Sequence, residues 1–266
     1  MEGNTNRRTI LKSSAAAVTS GASIVAAIPG TATAEERVNV AVLQTMNYHL
    51  NHSNSIGKQG SILEFVREMW DKYVDRPVSF TPYLSPTVRA NDFDNYFLGV
   101  DRVQEMDDWL NENWDRYGEM DAILVLDYLG NDDTDFGGFD RDEIGGWFGS
   151  TAKNGSAGGV DEYDDKRYTA AINLWHDDES NLTDLYAEVG SEGLAFHELA
   201  HLFNAEHNDA TVYYNGASLM YELNSDENYD DSPRECNPFA DAEVKQSRVS
   251  FCTARKIRNH CDSHIL

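Results

Sequence analysis

Residues 197 to 207 read HELAHLFNAEH, and the way this stretch folds decides what the rest of the chain is built around. A helix is expected over Ser191 to Phe203, with Ser191 as its N-cap. His197 and His201, four residues apart, then lie about 40° apart on one helix face, where two imidazoles can share one zinc ion. Glu198 stands about 100° further round the same turn. From there it can reach a water on the metal without binding the metal itself, which is the position of a general base. A catalytic zinc takes a third protein ligand and keeps one position open, and His207 is the candidate. If the helix simply continued, His207 would lie roughly 9 Å along the axis and about 120° off the direction of His201, so the chain must turn back between them. Asn204 lies midway. After glycine, asparagine is the residue that best tolerates the left-handed conformation that ends a helix, at a cost of about 1 kcal/mol relative to glycine.

Upstream, strand and helix signals alternate. Val38 to Leu43 reads as a strand, Ser61 to Val74 as an amphipathic helix and Val78 to Leu84 as a short strand. A second helix is expected from Asp101 to Trp114, and Ala122 to Leu126 is apolar enough for a buried strand. The Gly-rich stretch from Gly137 to Gly159 reads as loop with a short strand at Gly146 to Phe148, and Tyr168 to Trp175 alternates as a strand. This order predicts an α/β (α+β) architecture, with helices packed on a mixed sheet.

The 266 residues suffice for one large domain. They carry 46 Asp and Glu against 21 Lys and Arg, a formal charge of −25 spread along the chain. With 11 % aromatics this is not a disordered acidic segment. Such a surface repels itself in dilute buffer and suits molar salt, where counterions screen the repulsion; an ordinary acidic secreted protein is the alternative. Nucleic acid and anionic membranes are poor partners for such a charge, so neither is expected.

Residues 1–34 read as an export signal. Asn6 to Lys12, NRRTILK, resembles the twin-arginine signal; residues 13–34 carry no charge and end in Ala32-Thr33-Ala34, a small-x-small cleavage pattern. A retained anchor is the alternative, weakened by the segment's Ser and Thr content. Cleavage would remove Arg7, Arg8 and Lys12 against Glu2 alone, leaving a more acidic, secreted chain. The first strand is expected within four residues of that pattern, so no inhibitory prodomain is expected between signal and enzyme. In an exported protein, Cys236, Cys252 and Cys261 predict one disulfide and one leftover thiol, with the pairing open.

His197-Glu198-x-x-His201-x-x-Asn204-x-x-His207 resembles the extended zinc motif of the metzincin metallopeptidases, with Asn in place of the usual Gly. Ser218-Leu219-Met220-Tyr221, which follows, is similar to the Met-turn of that family. The resemblance implies that Met220 underlies the site as a support, not a ligand. It also implies an upper subdomain (35–207) with a twisted sheet and long helices, and a smaller lower subdomain (208–266) with a C-terminal helix. An edge strand would line the substrate cleft, a role that would fall to Tyr168 to Trp175. The expected activity is peptide hydrolysis at a single zinc, with Glu198 as general base and a protein or peptide as substrate. Astacin-like and serralysin-like members place a metal-binding tyrosine where this chain has Glu222. Tyr221 is more like the matrixins, although their following proline is absent. Ser250 to Ile257 is similar to the C-terminal helix of reprolysin-like members, so the subfamily stays open.

The remaining candidates carry less chemistry. His49 with His52, and His260 with His264, read as surface or capping pairs. Asn131, Asp132, Asp133 and Asp135 before Gly137 and Gly138 resemble a Ca2+ loop, but Phe136 and Asp142 depart from the EF-hand pattern, and a solvated acidic loop is the simpler reading. Two alternatives to an endopeptidase remain: a non-catalytic exported zinc-binding surface protein, and a zinc exopeptidase or amidase. A structural zinc site normally has a fourth protein ligand, and none stands at motif spacing.

Overall fold

Val38–Gln44 forms β1, and its alternate residues divide between two layers. Val38, Val40 and Val42 pack into one apolar cluster, Ala41 and Leu43 into the other, which is the two-residue period of a strand buried on both faces. The structure, a computed structural model, describes residues 36–85, 87–88, 99–128, 149–152, 155–159, 167–174, 186, 188–213, 215–221, 236 and 242–266. The signal-like segment 1–34, the acidic loop at 131–142 and the strand expected at Gly146 to Phe148 lie outside these residues.

After β1 come α1 (Met46–Asn51), α2 (Ser55–Met69), β2 (Val78–Pro82), α3 (Gly99–Asn113), β3 (Ala122–Asp127), β4 (Gly149–Thr151), β5 (Thr169–Asn173) and α4 (Gly190–His201). A two-stranded ribbon, β6 (Val212–Tyr213) with β7 (Gly216–Ala217), precedes α5 (Phe251–His260). The main sheet has the order β2-β1-β3-β5-β4. Its first four strands are parallel, in registers such as Val40↔Ala122 and Leu124↔Ala170, whereas β4 runs antiparallel to β5 with Ser150 opposite Ala171. The expected α/β class with a mixed sheet is therefore present.

One face of the sheet carries α2 and α4, through Ile62, Val66, Met69, Leu194 and Leu199. The other carries α3, whose Val103, Met106 and Leu110 recur at helical spacing and meet Ala41, Leu43, Ile123 and Val125. Each of the larger aliphatic side chains so buried contributes about 1.5–3 kcal/mol of transfer free energy. α3 is further tied to the strand ends by Arg102, whose Nε lies 2.7 Å from Asp127 Oδ2 in a fully buried ion pair.

Three expectations are corrected. Tyr168 to Trp175 is not the edge: among the described strands β4 is outermost and β5 lies inside it. An antiparallel return needs no long crossover, so this Gly-rich segment can add a three-residue strand that has no hydrophobic period to reveal it. Ser191 is not the N-cap of α4. Val189 holds that position without a side-chain cap, Gly190 enters at φ 57, and Ser191 is buried within the first turn. Helix α2 also starts earlier than its apolar period, at Ser55. Its first turns are held by tertiary bonds, with Gln59 Nε2 donating to the Val42 carbonyl at 3.0 Å and Lys58 Nζ meeting Glu192 at 2.9 Å, which offsets the low helix propensity of its glycines.

Among the described residues no helix is long and apolar enough to cross a membrane.

Candidate metal centre

His197 and His201 project from one face of α4, with their Nε2 atoms 3.1 Å apart. The helix ends where the reading of Asn204 requires. That residue adopts φ 64, its N–H bonds the His201 carbonyl at 3.0 Å, and the Ala205 N–H reaches back to the Ala200 carbonyl at 3.2 Å. This pair of bonds is a Schellman closure, which uses up carbonyls that the last turn would leave unpaired. The reversal brings His207 Nε2 to 3.2 Å from His197 Nε2. One ligand atom from each histidine lies within 4.8 Å of the others.

Hydrogen bonds behind the rings decide which nitrogens face inward. His197 Nδ1 is 2.7 Å from the Leu219 carbonyl oxygen, and His201 Nδ1 is 2.8 Å from that of Ala205. A carbonyl only accepts, so each Nδ1 carries a proton, and in the neutral form of such a ring Nε2 presents a lone pair inward. Burial, and after it the Lys245 ammonium, holds His197 well below its ordinary value, which keeps that ring neutral. The Nε2 atoms of His197 and His201 stand 3.1 Å apart with both Nδ1 protons directed to carbonyls, so their facing lone pairs repel, and a cation between them and His207 removes the repulsion. The donor set therefore fits a divalent metal ion that accepts imidazole, zinc among them. The carbonyls behind His197 and His201 are the outer partners that fix ring orientation in such sites.

Glu198 is buried, and its side chain lies against β4. A Cβ placed on Gly149 would fall 2.6 Å from Glu198 Cγ. Met220 is buried in the main core cluster, and the turn that carries it is pinned on both sides: Ser218 N–H bonds the Thr211 carbonyl and Leu219 N–H the Arg248 carbonyl, both at 2.9 Å. Its contribution to the site is made by the backbone of the preceding residue, Leu219.

Lys245 has no counterpart in the sequence reading. It is fully buried, with Nζ 2.5 Å from Tyr186 Oη and 3.3 Å from His197 Nδ1. Nothing local marks it, because a single lysine in an acidic chain reads as surface.

The three-histidine group is the only such cluster among the described residues. His49 Nδ1 lies 3.1 Å from Gln44 Oε1 and His52 Nδ1 accepts from Asn54 N–H at 3.2 Å, so these two rings have local partners, whereas His260, expected as a surface or capping ring, is buried with its Nε2 2.8 Å from the carbonyl of Ala157 in a distant segment. The disulfide joins Cys236 to Cys252, and Cys261 is the buried free thiol. On the far side of His207, the Ser250 hydroxyl donates to the Asp209 carbonyl and accepts the Thr253 N–H at 3.0 Å, capping α5 against the turn that follows the third histidine.

No protein-family model matches the chain, and no curated protein matches it.

Proposed function

We propose that the chain is a secreted zinc endopeptidase of metzincin type that hydrolyses peptide bonds in proteins or peptides. The observation that carries this reading is the convergence of three imidazole Nε2 atoms across a helix and a left-handed turn, with Glu198 next in sequence to the first of them. A structural zinc site would not call for that carboxylate, and three ligands leave a position for water. The Met220 turn behind His197, and the resemblance of residues 197–221 to the metzincin motif, support the family assignment; the twin-arginine-like signal supports export.

His197, His201 and His207 would hold the metal. When bound, zinc supplies Lewis acidity toward a water and a substrate carbonyl. Glu198 takes the proton of the attacking water and returns it to the leaving amine, the two halves of general acid–base catalysis by one carboxylate. Its burial beside the sheet removes bulk water from around the proton transfer.

The test is cleavage of an unfolded protein substrate in molar salt by the zinc-loaded protein and by Glu198→Ala. Cleavage that a chelator abolishes, and that is lost in a variant still holding one zinc, supports the endopeptidase. If both proteins bind zinc and neither cuts, the general endopeptidase reading fails. A narrow exopeptidase or amidase, or an exported zinc-binding surface protein, would take its place.

A further inference from the structure

Gly149 opens β4 beside the carboxylate that follows the first histidine. An ideal Cβ at this position would lie 2.6 Å from Glu198 Cγ, 2.9 Å from Cδ and 2.9 Å from Oε1. All three contacts fall on one side chain and none on backbone, and all are closer than carbon atoms pack in protein interiors. Gly149 is not among the residues of positive φ. Glycine is therefore required here for space and not for backbone conformation.

The elements around the clash differ in how easily they move. β4 is fixed by pairing, Gly149 opposite Ile172 and Thr151 opposite Ala170. α4 is buried along almost its whole length, and His197 and His201 are tied to carbonyls behind them. The Glu198 side chain, with three rotatable bonds, is the soft partner. A methyl group at position 149 would be accommodated by moving the carboxylate, with the histidines left in place.

We propose that Gly149 is a positioning residue for the general base: the absence of a side chain at this point of the outermost described strand reserves the space in which the Glu198 carboxylate is held. This rests on Glu198 acting as the base. It makes stability and activity respond separately, because alanine is no worse than glycine in a strand, while a displacement of about 1 Å in a catalytic group costs on the order of 100-fold in rate.

The experiment compares the zinc-loaded wild type with Gly149→Ala, Glu198→Ala and the double variant. Gly149→Ala is expected to bind one zinc per chain, to melt within about 2 °C of the wild type, and to lose roughly 100-fold in kcat with KM changed less than about twofold. Crystals of that variant should show the Glu198 carboxylate displaced by about 1 Å with the three imidazoles superimposed. Added to Glu198→Ala, the same substitution should alter the residual rate less than about twofold, because its effect passes through the missing carboxylate.

A Gly149→Ala enzyme with wild-type kcat and an unmoved carboxylate overturns the proposal and leaves the endopeptidase reading standing. Loss of zinc or of the fold in Gly149→Ala overturns it as well, by making the residue structural. If the wild type cuts nothing, the endopeptidase reading fails on its own, and the position of Glu198 in the variant crystals still decides whether Gly149 reserves its space.

Discussion

The Nδ1 of His197 meets the carbonyl oxygen of Leu219 at 2.7 Å, across a separation of 22 residues. The turn that carries Met220 thus holds the first histidine through its backbone, and the Met220 side chain keeps that turn in place by filling the core beneath it. Met220→Leu, close to volume-conserving, should cost less than about 1.5 kcal/mol. Met220→Ala should cost about 2–5 kcal/mol and weaken zinc binding as the turn relaxes. Denaturant unfolding of the apo-protein and chelator competition measure the two effects. An Ala variant as stable as the wild type would remove the supporting role.

Asn204 is exposed and sits at φ 64, so its importance lies in conformation and not in packing. Asn204→Gly should be neutral or stabilising by up to about 1 kcal/mol, and Asn204→Ala should destabilise by about 1 kcal/mol and loosen the metal by displacing His207. Urea midpoints with zinc titrations of both variants check this. Equal stability of Gly and Ala at 204 would mean that the turn does not depend on the left-handed residue.

Lys245 places a buried ammonium 3.3 Å from His197 Nδ1, where that nitrogen's proton is already directed to Leu219. The positive charge opposes a dication on the other side of the ring, and even with one imidazole between them two such charges in a partly dry interior interact by more than about 1 kcal/mol. Lys245→Met should therefore bind zinc about tenfold tighter or more, as read by competition with a chromophoric chelator. Unchanged or weaker binding in a variant that remains folded would show that Lys245 holds Tyr186 and the ring in place and does not act through its charge.

Burial, with a smaller push from Asp262, raises the Cys261 thiol from 9.0 to about 12. The folded chain keeps a proton that the unfolded chain releases, so this group's contribution is fully present below pH ~9 and is lost as pH rises toward 12, with a slope of up to about 1.4 kcal/mol per pH unit. Between pH 9 and 11 the wild type should lose stability more steeply than Cys261→Ala. At pH 8 the native thiol should resist alkylation that the unfolded chain undergoes readily. Parallel slopes for the two proteins would show that the thiol is not held protonated.

Where an element has its own period it was legible in the sequence. β1 and β3 appear within a residue or two of their expected bounds, because a strand buried on both faces must be almost wholly apolar. α3 matches because Val103, Met106 and Leu110 fall on one face. β4 was not legible, since three residues in a Gly-rich stretch carry no period, and that hid both the outermost strand and the glycine beside Glu198. The expected cap at Ser191 failed for a related reason: Gly190 turns the chain into the helix by conformation, leaving no capping task for a side chain.

The sequence by itself determined the local part of the site: two histidines one turn apart, a carboxylate beside the first, and an asparagine able to close the helix so that a third histidine folds back. These features depend on neighbours within a few residues, and helix geometry with the steric map of the backbone converts their spacing directly into position. Tertiary structure alone decided which carbonyl takes the His197 proton, that a lysine lies behind that ring, and that a glycine of β4 faces Glu198. Those partners lie 22 to 49 residues from the groups they touch. They meet because burying two apolar layers against one sheet fixes where each segment must lie, and no local period encodes that packing.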